Sequence, residues 1–315
     1  MKVLVAGATG VLGRALLPVL VAAGHQVVGT TRSSSRTGVI ETTGATAVVC
    51  DALDPAAVHY AVTEAAPEAV IHQLTALPDS FAKLRRGSEA TNQLRREGTR
   101  NLVQAAIAAG TRRVIAESIA FLYAPRRAGP ATEDEPIWTD APQPYATMID
   151  ALAELEQTVT RTPGIEGVVL RYGTLYGPGT FYAPDGDLIT QLRKRRMPIV
   201  GSGTGVTSFL HVDDAATATA SALREGTPGS IYNITDDDPV TFGDLVPALA
   251  DLLEAKPPMH IPSWLARPFA GSVGVAVMTQ QRGAANAKAR HDLRWQPRYT
   301  SWRDGFAAEF GQEPS

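Results

Sequence analysis

The chain has 315 residues, of which 44% are hydrophobic and 19% charged, so it can bury the core of one large α/β domain, alone or with a smaller appendage. Its formal net charge of -3 gives no long-range attraction to nucleic acid or to an anionic membrane, and we expect neither as a partner. The single cysteine, Cys50, excludes an internal disulfide and is typical of a cytoplasmic protein, and no run reaches the roughly 18 apolar residues that span a bilayer.

The first half of the chain alternates short apolar runs with helical patterns. The runs KVLVAG, QVVGTT, TAVVCD and EAVIHQ predict strands, and residues 12–23 predict a helix. The alternation continues through a helix near 97–109, the strand RRVIAES, a helix over 145–159 and the strand EGVVLRYG. Strands that alternate with helices pair in parallel. We therefore predict an α/β fold with a doubly wound parallel sheet over residues 1–172, followed over 173–315 by a smaller, predominantly substrate-binding region that returns some segments to the sheet.

A glycine-rich loop, GATGVLG, follows the first predicted strand and opens the first predicted helix. Gly7 permits the tight turn, Gly10 lets the backbone approach a pyrophosphate, and Gly13 lets the helix pack closely on the strand. The helix N-terminus then faces the phosphates. This is the context of a Rossmann dinucleotide site, and the predicted phosphate-loop residues are Gly7, Thr9, Gly10, Val11, Leu12 and Gly13.

The end of the second predicted strand indicates which dinucleotide binds. It carries Thr30, Thr31 and Arg32 in place of the Asp or Glu that accepts from the ribose of NAD. Arg32 and Arg36 can make charge-assisted contacts to a 2′-phosphate, so we predict NADP(H) in preference to NAD(H). The alternative is that Arg32 is a solvated loop charge. Asp51, after the third strand, either accepts from the adenine amino group or caps the next helix.

Seven segments resemble, in order and over nearly the whole chain, the extended short-chain dehydrogenases/reductases of the NAD-dependent epimerase/dehydratase type. They are GATGVLG, VIHQLTAL, EGTRNLVQAA, YATMIDALAELE, LRYGTLYGPG, SFLHVDDAA and LRWQPRYTSWRDGF. The resemblance implies a seven-stranded sheet, a cleft in which hydride moves to or from nicotinamide, and a homodimer. Further predicted cofactor contacts are Ala52, Leu74, Thr75, Ser118, Tyr172 and Gly173.

The catalytic residues that the resemblance implies are incomplete. Tyr145 matches the proton-donating Tyr, but Ile149 stands at the place of the family's Lys and Ile119 at the place of its Ser or Thr. Ser118 lies one residue early, and one residue reverses the side of a strand to which a side chain points. Its side chain therefore either faces the nicotinamide region or leaves only its backbone there. We predict Tyr145 and Ser118 as catalytic residues.

Loss of the Lys changes the chemistry open to Tyr145. Without a nearby cation a phenol has a pKa of about 10, so it stays neutral and can donate a proton but cannot act as a base. This favours reduction over oxidation. The proton comes either from Tyr145 or from the substrate, as the resemblance implies for atypical ketoreductases of aromatic polyketide pathways.

The second half of the chain indicates the kind of substrate. Thr207 stands where nucleotide-sugar members of the family have a diphosphate-binding Arg, so a nucleotide sugar is not expected. Trp138 and Trp264 are either pocket walls or core. The predicted substrate-binding residues are Phe121, Tyr123, Tyr145, Thr174, Phe181 and Tyr182. Few of them are charged, which suits a neutral, moderately apolar ketone, aldehyde or enone.

Three functions fit this pattern. We predict the NADPH-dependent reduction of a carbonyl group in a small molecule, as in a biosynthetic pathway. The alternatives are a catalytically silent NADP(H)-binding sensor, and an epimerase or dehydratase that does not act on nucleotide sugars. His72 and His211 are expected to be structural, and no spacing of Cys, His and carboxylates indicates a metal site.

Overall fold

A computed structural model describes residues 1–78, 80, 83–125 and 129–311. The strands in these ranges are β1 (Lys2–Ala6), β2 (Gln26–Thr31), β3 (Thr46–Val49), β4 (Ala69–His72), β5 (Arg113–Ile119), β6 (Glu166–Tyr172), β7 (Thr174–Tyr176), β8 (Ile199–Val200), β9 (Val206–Thr207), β10 (Phe209–His211), β11 (Ile231–Ile234), β12 (Val240–Thr241) and β13 (His260–Ile261). The helices are α1 (Val11–Ala22), α2 (Thr37–Glu41), α3 (Pro55–Ala65), α4 (Leu84–Gln93), α5 (Thr99–Ala108), α6 (Tyr145–Arg161), α7 (Asp187–Arg193), α8 (Val212–Glu225), α9 (Phe242–Leu252), α10 (Ser263–Gln280), α11 (Ala287–Asp292) and α12 (Trp302–Glu309). A short π-helical segment, Leu94–Gly98, joins α4 to α5.

The central sheet has seven strands in the described part of the chain, in the order β11-β6-β5-β4-β1-β2-β3, and all its pairs are parallel. The predicted α/β class and doubly wound sheet are confirmed. The chain builds the sheet outward in one direction from β1 to β3 and then crosses over to β4. In such sheets ligands bind at the carboxyl ends of the strands beside this switch point, between β1 and β4.

The two faces of the sheet bury different cores, and β5 contributes to both because successive residues of a strand point to opposite sides. Ile115 packs in a core that includes Leu16 of α1 and Ala216 of α8. Ala116 packs in the other core, which includes Leu155 of α6. Odd-numbered residues of β5 therefore face α1 and α8, whereas even-numbered residues face α5 and α6.

The C-terminal region is built around an aromatic core. Tyr176 stacks on Phe306 with ring centroids 4.6 Å apart, and Phe209 meets Phe306 edge-on at 5.4 Å. These rings come from β7, β10 and α12, so segments distant in sequence share one core. Two later elements return to the first half: β11 extends the central sheet beside β6, and α8 packs against α1.

The packing of β6 on α6 depends on a glycine. A Cβ at Gly167 would overlap the carbonyl oxygen of Val159. We expect Gly167→Ala to lower the free energy of unfolding by roughly 1–3 kcal/mol, because strand and helix must separate to admit the methyl group. Urea denaturation monitored by circular dichroism measures the loss.

A matched control is Gly38→Ala in α2, where an added Cβ meets no atom of the described residues within 4 Å. Alanine has less conformational freedom than glycine in the unfolded chain and favours a helix. The substitution should therefore leave the free energy of unfolding unchanged or raise it by up to about 1 kcal/mol. Equal urea midpoints for the two variants would contradict the packing argument.

Candidate active site

The glycine-rich loop has the shape that a dinucleotide requires. Gly7 has a φ of +89°, and a Cβ on it would overlap the carbonyl oxygen of Gln73. A Cβ on Gly13 would likewise overlap the backbone of Gly7. Helix α1 starts at Val11 after Gly10, with no side-chain cap and no acidic residue in its first turn. Its first backbone N–H groups are therefore free of side-chain acceptors and can bind a phosphate.

Of the remaining predicted residues of the loop, Thr9 and Leu12 are buried and Val11 is half-buried. Thr9 is 8% exposed and Leu12 4%, and the Leu12 side chain belongs to the core beneath α1. The carbonyl oxygen of Thr9 accepts a hydrogen bond of 3.4 Å from Arg36 Nη2. Arg36 thus reaches from the segment after β2 to the loop, while Arg32 is exposed beside it. The structure brings both arginines to the carboxyl end of β2.

Asp51 and Ala52 follow β3 at the same edge of the sheet. Asp51 Oδ1 accepts from the Leu53 backbone N–H at 3.0 Å, whereas α3 is capped by Asp54. The alternative interpretation of Asp51 as the helix cap is therefore wrong, because its side chain orders the preceding turn. Ala52 is buried, and its carbonyl oxygen accepts from Asn101 of α5.

Leu74 and Thr75 follow β4 and are half-buried. The Leu74 backbone N–H donates to His72 Nδ1 at 3.1 Å, so Nε2 of His72 donates to the Thr99 hydroxyl at 2.9 Å. Burial, with a smaller contribution from Arg95, lowers the pKa of His72 to about 4. His72 is thus a neutral residue that joins β4 to α5, as expected of a structural histidine.

Ser118 points away from the predicted nicotinamide region. It is 2% exposed and donates its hydroxyl to Glu156 Oε1 of α6 at 2.7 Å. Glu156 Oε2 in turn accepts from Arg171 Nη2 at 2.6 Å in a buried ion pair. As an even-numbered residue of β5, Ser118 faces α6, on the opposite side from Ile119. The prediction of a catalytic Ser118 hydroxyl is wrong for this reason, and a backbone contact to the cofactor stays a prediction.

Tyr123 belongs to the same buried network. Its hydroxyl donates to Asn233 Oδ1 at 2.6 Å and accepts from Arg171 Nη1 at 2.7 Å. With 1% of its surface exposed, Tyr123 is a core residue. We correct its assignment as a pocket wall, because both its ring and its hydroxyl are enclosed by protein.

Tyr145 is the first residue of α6, and its hydroxyl donates to the Phe121 carbonyl oxygen at 2.6 Å. Burial raises the pKa of the Tyr145 phenol above its ordinary value. Ile149, one turn later, is fully buried and supplies no charge to oppose this. Trp138 packs edge-on against the ring at 5.8 Å and is core. Tyr145 is therefore a neutral donor engaged with the backbone, and only loss of that hydrogen bond frees it for a substrate.

The other predicted substrate residues lie in the C-terminal region. The hydroxyls of Thr174 and Thr207 are 2.8 Å apart. Tyr182 is 7% exposed and packs edge-on against Phe209, and Phe181 is half-buried against the same aromatic core. The structure thus places Phe121 and Tyr145 in one cluster and Phe181 and Tyr182 in another.

Trp264 is neither a pocket wall nor core, because 72% of its surface is exposed.

Tyr172 is buried, and its hydroxyl accepts from Gln73 Nε2 at 3.2 Å and lies 2.7 Å from the Thr219 hydroxyl. Its side chain therefore faces the core of α1 and α8. A Cβ at Gly173 would meet the Ser208 carbonyl oxygen at 2.6 Å, so this glycine serves the close approach of two backbones. Cofactor contacts from Tyr172 and Gly173 stay predictions for their backbone atoms.

Glu117 is the site residue that sequence reasoning missed. It lies in β5 two residues before Ile119 and two after Ile115, so by the alternation of the strand it points to the side on which Ile115 packs against α1 and α8. Within the described ranges its half-buried carboxylate makes no hydrogen bond or ion pair. Burial raises the pKa of Glu117 to about 7, and the positive charge of Arg95 opposes this rise. The available signal was a carboxylate inside the otherwise apolar strand pattern VIAESIA, since such residues are seldom buried unpaired.

Other features of the described ranges add no second site. A cavity of about 500 Å³, lined by Pro125, Thr204, Val206 and Arg282 among others, contains none of the predicted cofactor or substrate residues. No group of three or more Cys, His, Asp or Glu in these ranges is arranged to hold a metal ion. No helix found there combines the length and apolar character needed to cross a membrane.

Comparison with known proteins identifies the family. The sequence profile of the NAD dependent epimerase/dehydratase family matches residues 3–235. The chain belongs to this family. Members bind a nicotinamide cofactor, and the glycine-rich loop of this chain has the close backbone packing that such a cofactor requires.

Two proteins with similar sequences are reductases. The chain is 45% identical to the 3-diazoavenalumate denitrifying reductase of a Streptomyces species, over 98% of this chain and 100% of the relative. It is 29% identical to the 2-alkyl-3-oxoalkanoate reductase of Stenotrophomonas maltophilia, over 78% of this chain and 74% of the relative. The prediction of an oxidoreductase is confirmed.

Solved structures of epimerases and dehydratases share the fold. UDP-glucose 4-epimerase of Thermotoga maritima superposes with a TM-score of 0.78 at 22% identity, covering 99% of this chain and 98% of that one. The dTDP-glucose 4,6-dehydratase DesIV of Streptomyces venezuelae, solved with NAD, superposes with a TM-score of 0.77 at 23% identity, covering 99% and 96%. At these identities the likeness extends to the fold alone.

The buried ion pair beneath the site gives a stability prediction. Glu156→Gln leaves the Arg171 guanidinium buried without a counter-charge, and we expect the free energy of unfolding to fall by roughly 3–5 kcal/mol. Thermal or urea denaturation measures the change.

Glu154→Gln is the matched control on the same helix. Glu154 pairs with Arg96 and Arg100, but all three side chains are at least 33% exposed, so the expected loss is at most about 1 kcal/mol. A similar, small effect of both substitutions would show that the Arg171–Glu156 pair does not stabilise the fold.

Proposed function

We propose that the protein is an NADP(H)-dependent reductase whose substrate is a small aromatic diazo compound. The observation that carries this proposal is the carboxyl end of β5. There Ile119 replaces the hydroxyl that polarises a carbonyl group, and the Ser118 hydroxyl is committed to Glu156 on the other face. The similarity of the whole chain to a reductase named for a diazo substrate supports the same conclusion.

Ketones and diazonium compounds differ in their need for the hydroxyl and the Lys of the family. Reduction of a ketone depends on these groups, whereas reduction of a diazonium compound does not. Reduction of a ketone places negative charge on oxygen, which must be stabilised by donors and then protonated. A diazonium group already carries a positive charge and leaves as dinitrogen. Overall, one hydride replaces the C–N bond by a C–H bond and N₂ departs, so ArN₂⁺ and H⁻ give ArH and N₂ with no proton donor required.

When bound, the reduced nicotinamide supplies the hydride, and the residues of the chain hold and orient the reactants. The first turn of α1 binds the pyrophosphate through the N–H groups that follow Gly10. Arg32 and Arg36 accommodate the 2′-phosphate of NADP(H) through their positive charges. The end of β2 also has no carboxylate that would favour NAD(H).

Carbonyl reduction is the second candidate, favoured by Tyr145 at the start of α6 and by the similarity to an oxoalkanoate reductase. In this case the substrate is a neutral, moderately apolar ketone, aldehyde or enone. Tyr145 then supplies the proton after exchanging its hydrogen bond from the Phe121 carbonyl oxygen to the substrate.

The decisive experiment follows NADPH oxidation by absorbance together with N₂ release, using 3-diazoavenalumate, a simple arenediazonium salt and a panel of aromatic ketones and aldehydes. We expect one N₂ for each NADPH consumed with a diazo substrate. Turnover of carbonyl compounds alone would replace the proposal by its second candidate. Tight NADPH binding without oxidation of any probe would contradict both and favour a sensor.

Tyr145→Phe separates the two chemistries in one variant. Removal of the hydroxyl should slow carbonyl reduction by about 10²- to 10⁴-fold, because a general acid is lost, and should change diazo reduction less than about twofold. Tyr60→Phe, at an exposed position of α3, is the control for the substitution itself. A large loss of diazo reduction in Tyr145→Phe would assign the phenol a role in that reaction too.

Cofactor choice is tested by affinity. Each of Arg32→Ala and Arg36→Ala should weaken NADPH binding by about tenfold through loss of a charge-assisted contact, and leave NADH binding unchanged. Fluorescence titration of both cofactors measures this, with Arg161→Ala at the end of α6 as the control. Equal affinities of the unmodified protein for NADPH and NADH would overturn the assignment.

A further inference from the structure

Three neighbouring strands present a row of residues at the carboxyl edge of the sheet, on the side of α1 and α8. Gly7 follows β1, Gln73 follows β4, and Glu117 lies in β5. Gly7 is in close contact with the backbone of Gln73. Gln73 and Glu117 are neighbours because they come one step beyond the last residue pair of β4 and β5. The row therefore begins at the phosphate loop and ends at Glu117.

Two acceptors in this row lack a donor among the residues that the structure describes. Gln73 Nε2 donates a hydrogen bond to the Tyr172 hydroxyl. Because the Thr219 hydroxyl donates to the Ala215 carbonyl oxygen, it accepts from the Tyr172 hydroxyl. This series of hydrogen bonds orients the Gln73 amide and leaves Gln73 Oε1 buried, with no partner within the described ranges. The Glu117 carboxylate also accepts from no donor in the described part of the chain. Unpaired acceptors are costly in a protein interior, and two side by side indicate a site for a positively charged or hydrogen-donating group.

We propose that the Glu117 carboxylate lies against the nicotinamide half of the cofactor and favours its oxidised form, whose ring is positively charged. The pyrophosphate belongs at the loop after β1 and the adenosine half at β2 and β3, so the other half must extend over β4 and β5. With strands spaced about 4.8 Å apart, β5 lies about 10 Å from β1, within reach of a dinucleotide. This inference rests on the dinucleotide site and not on the identity of the substrate.

The effect on the cofactor depends on the charge of Glu117. Arg95 is the cation whose field acts on this carboxylate, and it stays charged near neutral pH. The pKa of Tyr172 is raised and the pKa of His72 is lowered to about 4, both by burial, so neither changes charge near neutrality. The pKa of Glu117 is raised to about 7. Its negative charge therefore appears as the pH rises through about 7, and the preference for the oxidised cofactor should rise with it.

The test measures the ratio of the affinities for NADP⁺ and NADPH, by fluorescence titration and competition, from about pH 6 to about pH 8.5. In the unmodified protein we expect the ratio to shift toward NADP⁺ by about tenfold over this range, the scale of one nearby charge in a partly screened site. The 2′-phosphate also titrates, but it is common to both forms and cancels in the ratio. In Glu117→Gln the ratio should be independent of pH and stay at the value found at low pH.

Glu64→Gln, an exposed carboxylate at the end of α3 on the opposite edge of the sheet, is the matched control and should retain the full pH dependence. A pH-independent ratio in the unmodified protein overturns the inference even if Glu117→Gln fails to fold. An unchanged pH dependence in folded Glu117→Gln overturns it as well. Failure of the unmodified protein to bind either form would instead remove the dinucleotide site on which the proposed function also rests, so the two failures are distinguishable.

Discussion

The buried ion pair between Arg171 of β6 and Glu156 of α6 determines what the carboxyl end of β5 can do. Charges in a protein interior are tolerated only when their remaining donors and acceptors are satisfied. Here Ser118 donates to the carboxylate, and Tyr123 accepts from the guanidinium and donates to Asn233. The hydroxyls of Ser118, predicted to be catalytic, and of Tyr123, predicted to line the substrate pocket, are therefore part of the fold. The network joins β5, β6, α6 and β11, and Ser118 brings it to the carboxyl end of the side of β5 that faces α6.

The opposite side of β5 has the reverse character. Ile119 offers no donor to a carbonyl oxygen, and Glu117 places a carboxylate two residues deeper on the same side. A negative charge there disfavours an oxyanion and favours a cation. An electrophile that begins positively charged and a cofactor that ends positively charged are both complementary to this electrostatic environment. The proposed diazo substrate and the proposed role of Glu117 thus depend on the same feature of the site, although each is measured separately.

Local patterns in the sequence predicted much of this architecture. The helix expected over 12–23 forms over Val11–Ala22, and the strand EGVVLRYG forms over Glu166–Tyr172. The glycine loop was also predictable. The positive φ of Gly7 and the close backbone contact at Gly13 both require a residue without a Cβ, and glycine is the residue that provides this. These features depend on the spacing of apolar residues and on the shape of single residues, and both can be identified from a short segment of sequence.

The sequence by itself determined the fold class, the phosphate loop, and the presence of Ile119 and Ile149 where the family resemblance expects Ser and Lys. Only the tertiary structure decided which way Ser118 points, what the Tyr145 hydroxyl binds, and that Glu117 has no hydrogen-bond or ion-pair partner among the described residues. The period of a strand tells which residues share a side, but not which side faces the cofactor, because that depends on the helices packed on each face. Hydrogen-bond partners such as Glu156 lie far away in sequence, so no local pattern records them.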